Sequence, residues 1–122
     1  QIIQIGNLKM KTIFTPGHAP DHFCFLVKNK LLTGDLLFVG KIGGTGPYFQ
    51  GSDAKTQFES LEKIMKLPDA TEIYPGHDYG ITRSSTIGHE KKTNPFLQSK
   101  TLPKFQYLKE NWLAYKEKHN LR

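Results

Sequence analysis

Apolar and polar residues alternate along the first part of the chain, with the period of half-buried β-strands. Two such runs, residues 2–5 and 8–14, flank a Gly-Asn pair, and this pattern predicts a β-hairpin. A third strand is predicted over residues 22–27 and a fourth over residues 31–33. We therefore expect the chain to begin with antiparallel β-structure.

The pattern changes to helical spacing after a glycine-rich segment. Residues 40–51 contain five glycines and a proline, so we expect a long loop without regular structure. Ser52 or Asp53 can cap the helix that follows, which is expected to end before Pro68. Its apolar positions recur at helical spacing and are interpreted as core positions: Ala54, Phe58, Leu61, Ile64 and Met65.

The second half of the chain is predicted to add one strand and two helices. The strand covers residues 72–74, and a short helix runs from about Ser85 to near Asn94. The last helix is expected near residues 103–119. It has one largely aromatic face, which must cover another part of the protein: Phe105, Leu108, Trp112 and Tyr115. Strands mixed with helices indicate an α/β or α+β fold.

Length and composition limit the class of protein further. A chain of 122 residues has room for one domain. Its longest apolar runs fall far short of the ~20 residues that a membrane span requires, so we expect no membrane partner. The single cysteine, Cys24, cannot form an internal disulfide, and we expect a cytoplasmic protein. Because the chain begins at Gln1 and enters a strand pattern at once, we also expect that a preceding segment is missing.

The net charge of +6 is concentrated near the C-terminus. Residues 89–122 carry 8 basic and 3 acidic side chains, whereas residues 1–88 carry 9 and 8. A basic segment can attract phosphates or other acidic ligands. Because these lysines alternate with core-like aromatic residues, we interpret them as the solvated face of a terminal helix and do not expect a nucleic-acid partner.

Three ligand-capable residues stand where predicted strands pass into loops, each directly after a glycine. They are His18, Asp35 and His77. Functional side chains are often presented by loops at the end of a rigid sheet, and glycine lets the backbone turn tightly beside them. Two imidazoles and a carboxylate suit zinc, iron or manganese. The spacing alone makes a metal site one candidate, but isolated loop histidines are more often surface or capping residues.

Three strings in order strengthen this interpretation. Thr-Pro-Gly-His at 15–18, Leu-Thr-Gly-Asp-Leu-Leu-Phe at 32–38 and Tyr-Pro-Gly-His-Asp-Tyr at 74–79 closely resemble the second half of the metallo-β-lactamase fold. The resemblance is strongest to its glyoxalase II and persulfide dioxygenase branch. It implies an αββα sandwich of which residues 1–122 form the C-terminal part, with residues 96–122 as a terminal helical extension. No His-x-His-x-Asp-His motif, which that family carries in its first half, occurs in the sequence.

The resemblance also implies roles for the three ligands. His18 would bind a first metal ion, Asp35 would bridge two and be the pivotal catalytic residue, and His77 would bind the second. The implied cofactor is a pair of Zn²⁺ ions, with Fe²⁺ as the alternative. A water molecule between two cations becomes a hydroxide nucleophile near neutral pH. Since the other ligands of the family are missing, the isolated chain is expected to be inactive.

The substrate positions depart from the family. Both related branches carry Cys-Gly followed by Arg or Lys in the glycine-rich loop, and the basic residue helps glyoxalase II to hold glutathione. This chain has Ile-Gly-Gly-Thr at 42–45 instead, which argues against that contact. Lys41, Tyr48 and Tyr79 remain candidates for contacting an acidic or thioester substrate. Tyr79 matches a glutathione-contacting tyrosine of glyoxalase II, or alternatively packs under its loop.

The leading hypothesis is a metal-dependent hydrolase that attacks a small thioester or related ester with a metal-bound hydroxide. The alternative is a mononuclear-iron persulfide dioxygenase, in which His18 and Asp35 bind iron and His77 does not; residues 50–51, 54–56 and 93–95 resemble that branch. A nuclease-like protein and a non-catalytic binding fragment are further alternatives. We expect the chain to associate with a second copy or with the missing N-terminal half.

We assign no metal to the remaining histidines or to the cysteine. His22 is expected to line a strand edge, Cys24 to pack as a small apolar side chain, and His89 and His119 to lie in or near surface helices.

Overall fold

A six-stranded sheet and five helices form the protein in the computed structural model, which describes residues 1–121. The sheet order is β1-β2-β3-β4-β7-β8, and β5 and β6 form a separate two-stranded sheet. The strands are β1 Ile2–Ile5, β2 Leu8–Phe14, β3 Phe23–Val27, β4 Lys30–Gly34, β5 Leu37–Phe38, β6 Lys41–Ile42, β7 Glu72–Pro75 and β8 Ser85–Thr86. The predicted hairpin is confirmed, since β1 pairs antiparallel with β2 across Gly6 and Asn7.

One parallel strand pair organises the sheet. All other neighbours are antiparallel, but β4 and β7 run parallel, and Leu31 lies opposite Ile73. A parallel pair requires a crossover connection, which here contains helix α1 (Ala54–Met65). The pair extends beyond the strands, because the Gly76 N–H donates to the Gly34 carbonyl at 2.8 Å. The loops that follow β4 and β7 therefore start side by side at one edge of the sheet.

Side-chain caps mark the start of the first two helices. Helix α1 starts as predicted at Asp53, whose carboxylate accepts the backbone N–H of Thr56 at 3.0 Å. Thr86 caps the next helix in the same way, through the N–H of His89. The four remaining helices are α2 Ile87–Thr93, α3 Pro95–Gln98, α4 Leu102–Glu110 and α5 Trp112–Lys118.

Three sequence predictions are corrected by the structure. Residues 40–51 are not wholly irregular, because Lys41–Ile42 pairs with β5 to form a short hairpin. The helix predicted from Ser85 begins at Ile87, since Ser85–Thr86 pairs with β7 at the edge of the sheet. The predicted last helix is two helices, which meet at Asn111; its backbone lies outside the helical region.

The core lies between one face of the sheet and the helices. Inward-facing residues of the central strands, including Cys24, Leu31 and Ile73, are fully buried. Helix α1 contributes Leu61 and Ile64 in the same layer. The predicted aromatic face of the C-terminal helices is confirmed as a covering layer: Phe105 is fully buried, and Trp112 packs against Phe96 with ring centroids 4.6 Å apart.

The opposite face of the sheet is apolar but exposed. In-register neighbours share a face, so Phe14, Phe23 and Leu32 lie on the side away from the helices. Leu32, in the middle of the sheet, is 44% exposed. No described helix is both long and apolar enough to cross a membrane. We propose that this face, called the outer face below, is covered in solution by a second copy of the chain or by the N-terminal half of the domain.

We predict that the isolated chain of 122 residues associates with itself through the outer face. Light scattering should give a mass above the 13.9 kDa of one chain, increasing with concentration. Leu32→Glu should return the protein to a monomer, because it places a charge in the apolar face. Leu113→Glu, at an exposed position of α5, is the matched control. A monomer at every concentration would contradict this prediction.

A second prediction concerns the packing of α4. Phe105→Ala should lower the free energy of unfolding by about 3–5 kcal/mol, because it empties a fully buried site that also contacts Phe58 and Phe96. Tyr107→Ala, on the exposed side of the same helix, should change it by less than about 0.5 kcal/mol. Urea denaturation measures both. Equal effects would show that α4 does not depend on this contact.

Candidate metal centre

His18, Asp35 and His77 come together at one edge of the sheet. His18 lies in the loop after β2, Asp35 directly follows β4, and His77 lies two residues beyond β7. The parallel pairing of β4 with β7 brings the last two together. His77 Nδ1 lies 2.8 Å from Asp35 Oδ1, and His18 Nε2 lies 3.6 Å from Asp35 Oδ2. Each imidazole therefore faces a different oxygen of the same carboxylate.

The Asp35 carboxylate is not satisfied as a turn aspartate would be. Its Oδ1 atom is shielded from solvent and accepts no hydrogen bond among the described residues, although His77 Nδ1 is close. A buried carboxylate oxygen without a donor is costly unless a cation or a proton neutralises it. The donor set, one carboxylate between two imidazoles, suits zinc or iron. These residues fit a metal ion.

The orientation of His18 is set by a backbone carbonyl. His18 Nδ1 lies 2.7 Å from the carbonyl oxygen of Gly44. A carbonyl can only accept a hydrogen bond, so Nδ1 carries a proton, and in the neutral imidazole the lone pair of Nε2 is directed toward Asp35. A hydrogen bond from the second ring nitrogen to a carbonyl is the usual support of a metal-binding histidine.

The glycine loop, residues 43–46, can hold His18 only because its first residue has no side chain. A Cβ atom on Gly43 would lie 1.9 Å from the backbone oxygen of Asp35 and 3.1 Å from His18 Cγ. Phe49, further along the same segment, packs against the His18 ring with centroids 5.2 Å apart. The backbone of this loop therefore forms one wall of the cluster.

The sequence predicted only that His22 lines a strand edge, but in the structure it also makes two hydrogen bonds beside Asp35. Its Nε2 accepts the backbone N–H of Asp35 at 3.2 Å, so Nδ1 carries the proton and donates to Thr15 Oγ1 at 2.9 Å. Burial lowers the pKa of His22, which favours this neutral form. Gly34 is required beside it, because its φ of 52° is left-handed and a Cβ there would lie 2.7 Å from His22 Nε2. His22 thus holds the main chain at Asp35.

Cys24 and the two remaining histidines lie where the sequence predicted. Cys24 is fully buried, and burial raises the pKa of its thiol to about 11. His89 is exposed on α2, and His119 is exposed directly after α5.

The predicted substrate residues lie at different distances from the cluster. Tyr79 stacks on His77, with ring centroids 4.8 Å apart and planes 1° apart, and Phe38 packs edge-on against both rings. Lys41 and Tyr79 together line a cavity of about 320 Å³ whose other walls are largely apolar. Tyr48 is 93% exposed on the loop that leads to α1.

Sequence reasoning missed the residues that support the cluster from behind. Gln57 of α1 is fully buried and donates to the Gly43 carbonyl at 2.8 Å. Lys109 of α4 donates to the same carbonyl at 3.1 Å. Gln57 stands three residues after Ala54 and four before Leu61, and a polar residue on this apolar face of α1 was the one signal available in the sequence.

The described residues do not form a complete metal site. Within residues 1–121, no three His, Cys, Asp or Glu side chains are arranged as one set of ligands. His18, Asp35 and His77 lie together, but the two imidazoles contact opposite oxygens of Asp35 rather than a common point. Catalytic zinc usually has three protein ligands, so neither side of Asp35 has its full number from these residues.

Comparison with known proteins identifies similar chains that are longer than this one. Hydroxyacylglutathione hydrolase of Glaesserella parasuis is 34% identical and aligns with 90% of this chain and 59% of its own length. The crystal structure of ETHE1 from Myxococcus xanthus is 34% identical with a TM-score of 0.85, and 92% of this chain covers 49% of that one. TTHA1623 in a di-iron-bound form is 34% identical with a TM-score of 0.65, over 78% of this chain and 45% of its own.

The chain thus spans about half the length of these relatives. A family model described as the metallo-β-lactamase superfamily matches residues 2–77, more than half of the chain, and all three clustered residues lie within the match. The mixed sheet and helices agree with the fold of these neighbours. This chain belongs to the metallo-β-lactamase superfamily.

Proposed function

We propose that these residues are part of a metal-dependent hydrolase that cleaves a small thioester or related ester. The observation that carries the proposal is the arrangement at Asp35, whose two oxygens face two different histidines while one oxygen has no hydrogen bond. Such a carboxylate can hold two cations. The similarity to hydroxyacylglutathione hydrolase supports a thioester as the substrate.

Each clustered residue has a role in the proposed site. Asp35 would bridge two metal ions, zinc or iron, and its charge would offset theirs. His18 and His77 would each bind one ion through the nitrogen that now faces Asp35. When bound, such ions lower the pKa of water and polarise a carbonyl group. The remaining ligands would come from the N-terminal half of the domain, since the isolated chain supplies only part of each shell.

The residues beside the cluster would bind and orient the substrate. Tyr79 stacks on His77 and also lines the cavity that it shares with Lys41, so a substrate held in this cavity would contact the neighbour of a metal ligand. Its phenol and the Lys41 ammonium can bind polar or acidic groups, while the apolar walls exclude water. Tyr48 would contact the substrate only at the rim, because it lies exposed on its loop.

A mononuclear-iron persulfide dioxygenase is the second candidate, and the position of His77 favours it. His77 is paired with Asp35 and stacked on Tyr79. A histidine in this position can serve as the partner of a carboxylate that binds one iron ion on its other side. The resemblance of residues 50–51, 54–56 and 93–95 to the dioxygenase branch supports the same hypothesis of one iron ion.

We predict that Asp35→Asn abolishes hydrolysis in the complete protein while the fold remains. The amide keeps the size of the side chain but loses the charge that holds the cations. Turnover of a hydroxyacyl thioester should fall by about a thousandfold or more, the equivalent of about 4 kcal/mol. Asp78→Asn, at an exposed position paired with Arg83, should leave turnover unchanged. Wild-type turnover in Asp35→Asn, with an unchanged circular dichroism spectrum, would rule out the proposed centre.

Metal content should distinguish the two candidate functions. Elemental analysis of the complete domain should find two metal ions for the hydrolase and one iron for the dioxygenase. His77→Ala should remove one metal ion only from a binuclear centre, whereas His119→Ala, far along the chain at the end of α5, should not alter the content. Oxygen consumption with a persulfide substrate and an unchanged iron content in His77→Ala would favour the dioxygenase instead.

A further inference from the structure

One lysine of the basic C-terminal segment points into the protein, contrary to the solvated face predicted for it. Lys109 of α4 is partly buried, and its Nζ lies 5.6 Å from the ring centre of Phe105 and 5.9 Å from that of Phe96. Burial lowers its pKa to about 8. An ammonium in such a place costs free energy that a methionine would not, so its polar contacts must offset this cost.

Those contacts connect Lys109 to helix α1 and to the glycine loop. Lys109 Nζ donates to the Gly43 carbonyl at 3.1 Å and to Gln57 Oε1 at 2.7 Å. Gln57 Nε2 donates to the same Gly43 carbonyl at 2.8 Å. The carbonyl of Gly43 therefore receives two hydrogen bonds, and Lys109 joins α4, α1 and the glycine loop at one point.

The other side of the glycine loop contacts the candidate metal ligands. Gly43 lies directly against the Asp35 backbone and the His18 ring, and the Gly44 carbonyl accepts the Nδ1 proton of His18. Gly43 and Gly44 are adjacent, so fixing one carbonyl restricts the direction of the next. Lys109 itself contacts none of the three ligands. Any influence it has on them passes through this loop.

We propose that Lys109 is a positioning residue that fixes the imidazole of His18 through the glycine loop. This inference rests on the proposed function, in which His18 binds a metal ion through Nε2. With Lys109 in place, the Gly44 carbonyl holds the proton on Nδ1 and leaves Nε2 free to bind. Without it, the loop relaxes and His18 loses its preference for that tautomer.

The test compares Lys109→Met with wild type and with Lys104→Met, an exposed position on the same helix. Nitrogen-15 chemical shifts of labelled histidine report the tautomer of His18 in the metal-free chain at neutral pH. We expect wild type and Lys104→Met to carry the proton on Nδ1, and Lys109→Met to show a mixture. Isothermal titration of the complete domain with Zn²⁺ should show a dissociation constant about tenfold higher for Lys109→Met alone.

A purely structural lysine would give a different result. Lys109→Met would then lower the free energy of unfolding but leave the His18 tautomer and the zinc affinity of the folded protein as in wild type, and this outcome would overturn the proposal. If Lys109→Met does not fold, Lys109→Ala serves in its place, because alanine preserves the helix and lets water reach Gly43. The tautomer is measured without metal, so a complete wild-type domain that binds no zinc would count against the proposed function alone.

Discussion

The parallel pairing of β4 with β7 is the constraint on which the candidate site depends. It fixes the two strand ends side by side, so that Asp35 and His77 approach to 2.8 Å although they are far apart in sequence. Two separate loops could not hold this distance without a shared sheet beneath them. The crossover that parallel pairing requires also contains α1, and this helix delivers Gln57 to the back of the cluster. The same crossover therefore pairs the two strands and places Gln57 behind the candidate metal ligands.

Close backbone approach is the second requirement. The wall beside Asp35 and His18 is a peptide backbone rather than a side chain, and Gly43 leaves no space for a Cβ. This packing restrains a glycine-rich segment that has little regular hydrogen bonding of its own. The restraint comes from outside the loop, from Gln57 and Lys109. The missing side chain of Gly43 allows the loop backbone to lie against Asp35 and His18, and the hydrogen bonds from Gln57 and Lys109 keep it there.

Local signals in the sequence were sufficient for the hairpin, the Asp53 cap of α1 and the glycine-flanked ligands. Each of these depends on residues within a few positions of one another. The two-residue strand at Lys41–Ile42 and the break at Asn111 were not predictable, because short elements are selected by tertiary contacts rather than by propensity. The same limit explains Lys109, since a charge pattern cannot show which lysine of a basic segment turns inward. The resemblance implied both the convergence of the three ligands and the central place of Asp35 between the two histidines, but only the structure shows which imidazole nitrogen faces which oxygen.

The parallel pair also determines when the site can form during folding. Lys30 and Glu72, which face each other across β4 and β7, are 42 residues apart, whereas the hairpin at the start of the chain closes over a few residues. Closing the longer loop costs more entropy, so we expect this pairing to be among the later contacts of folding. Interactions that form after the transition state change the unfolding rate more than the folding rate. A cation held at Asp35 would therefore act as a kinetic lock: it would slow the escape of the chain from the native state and do little to speed its arrival there.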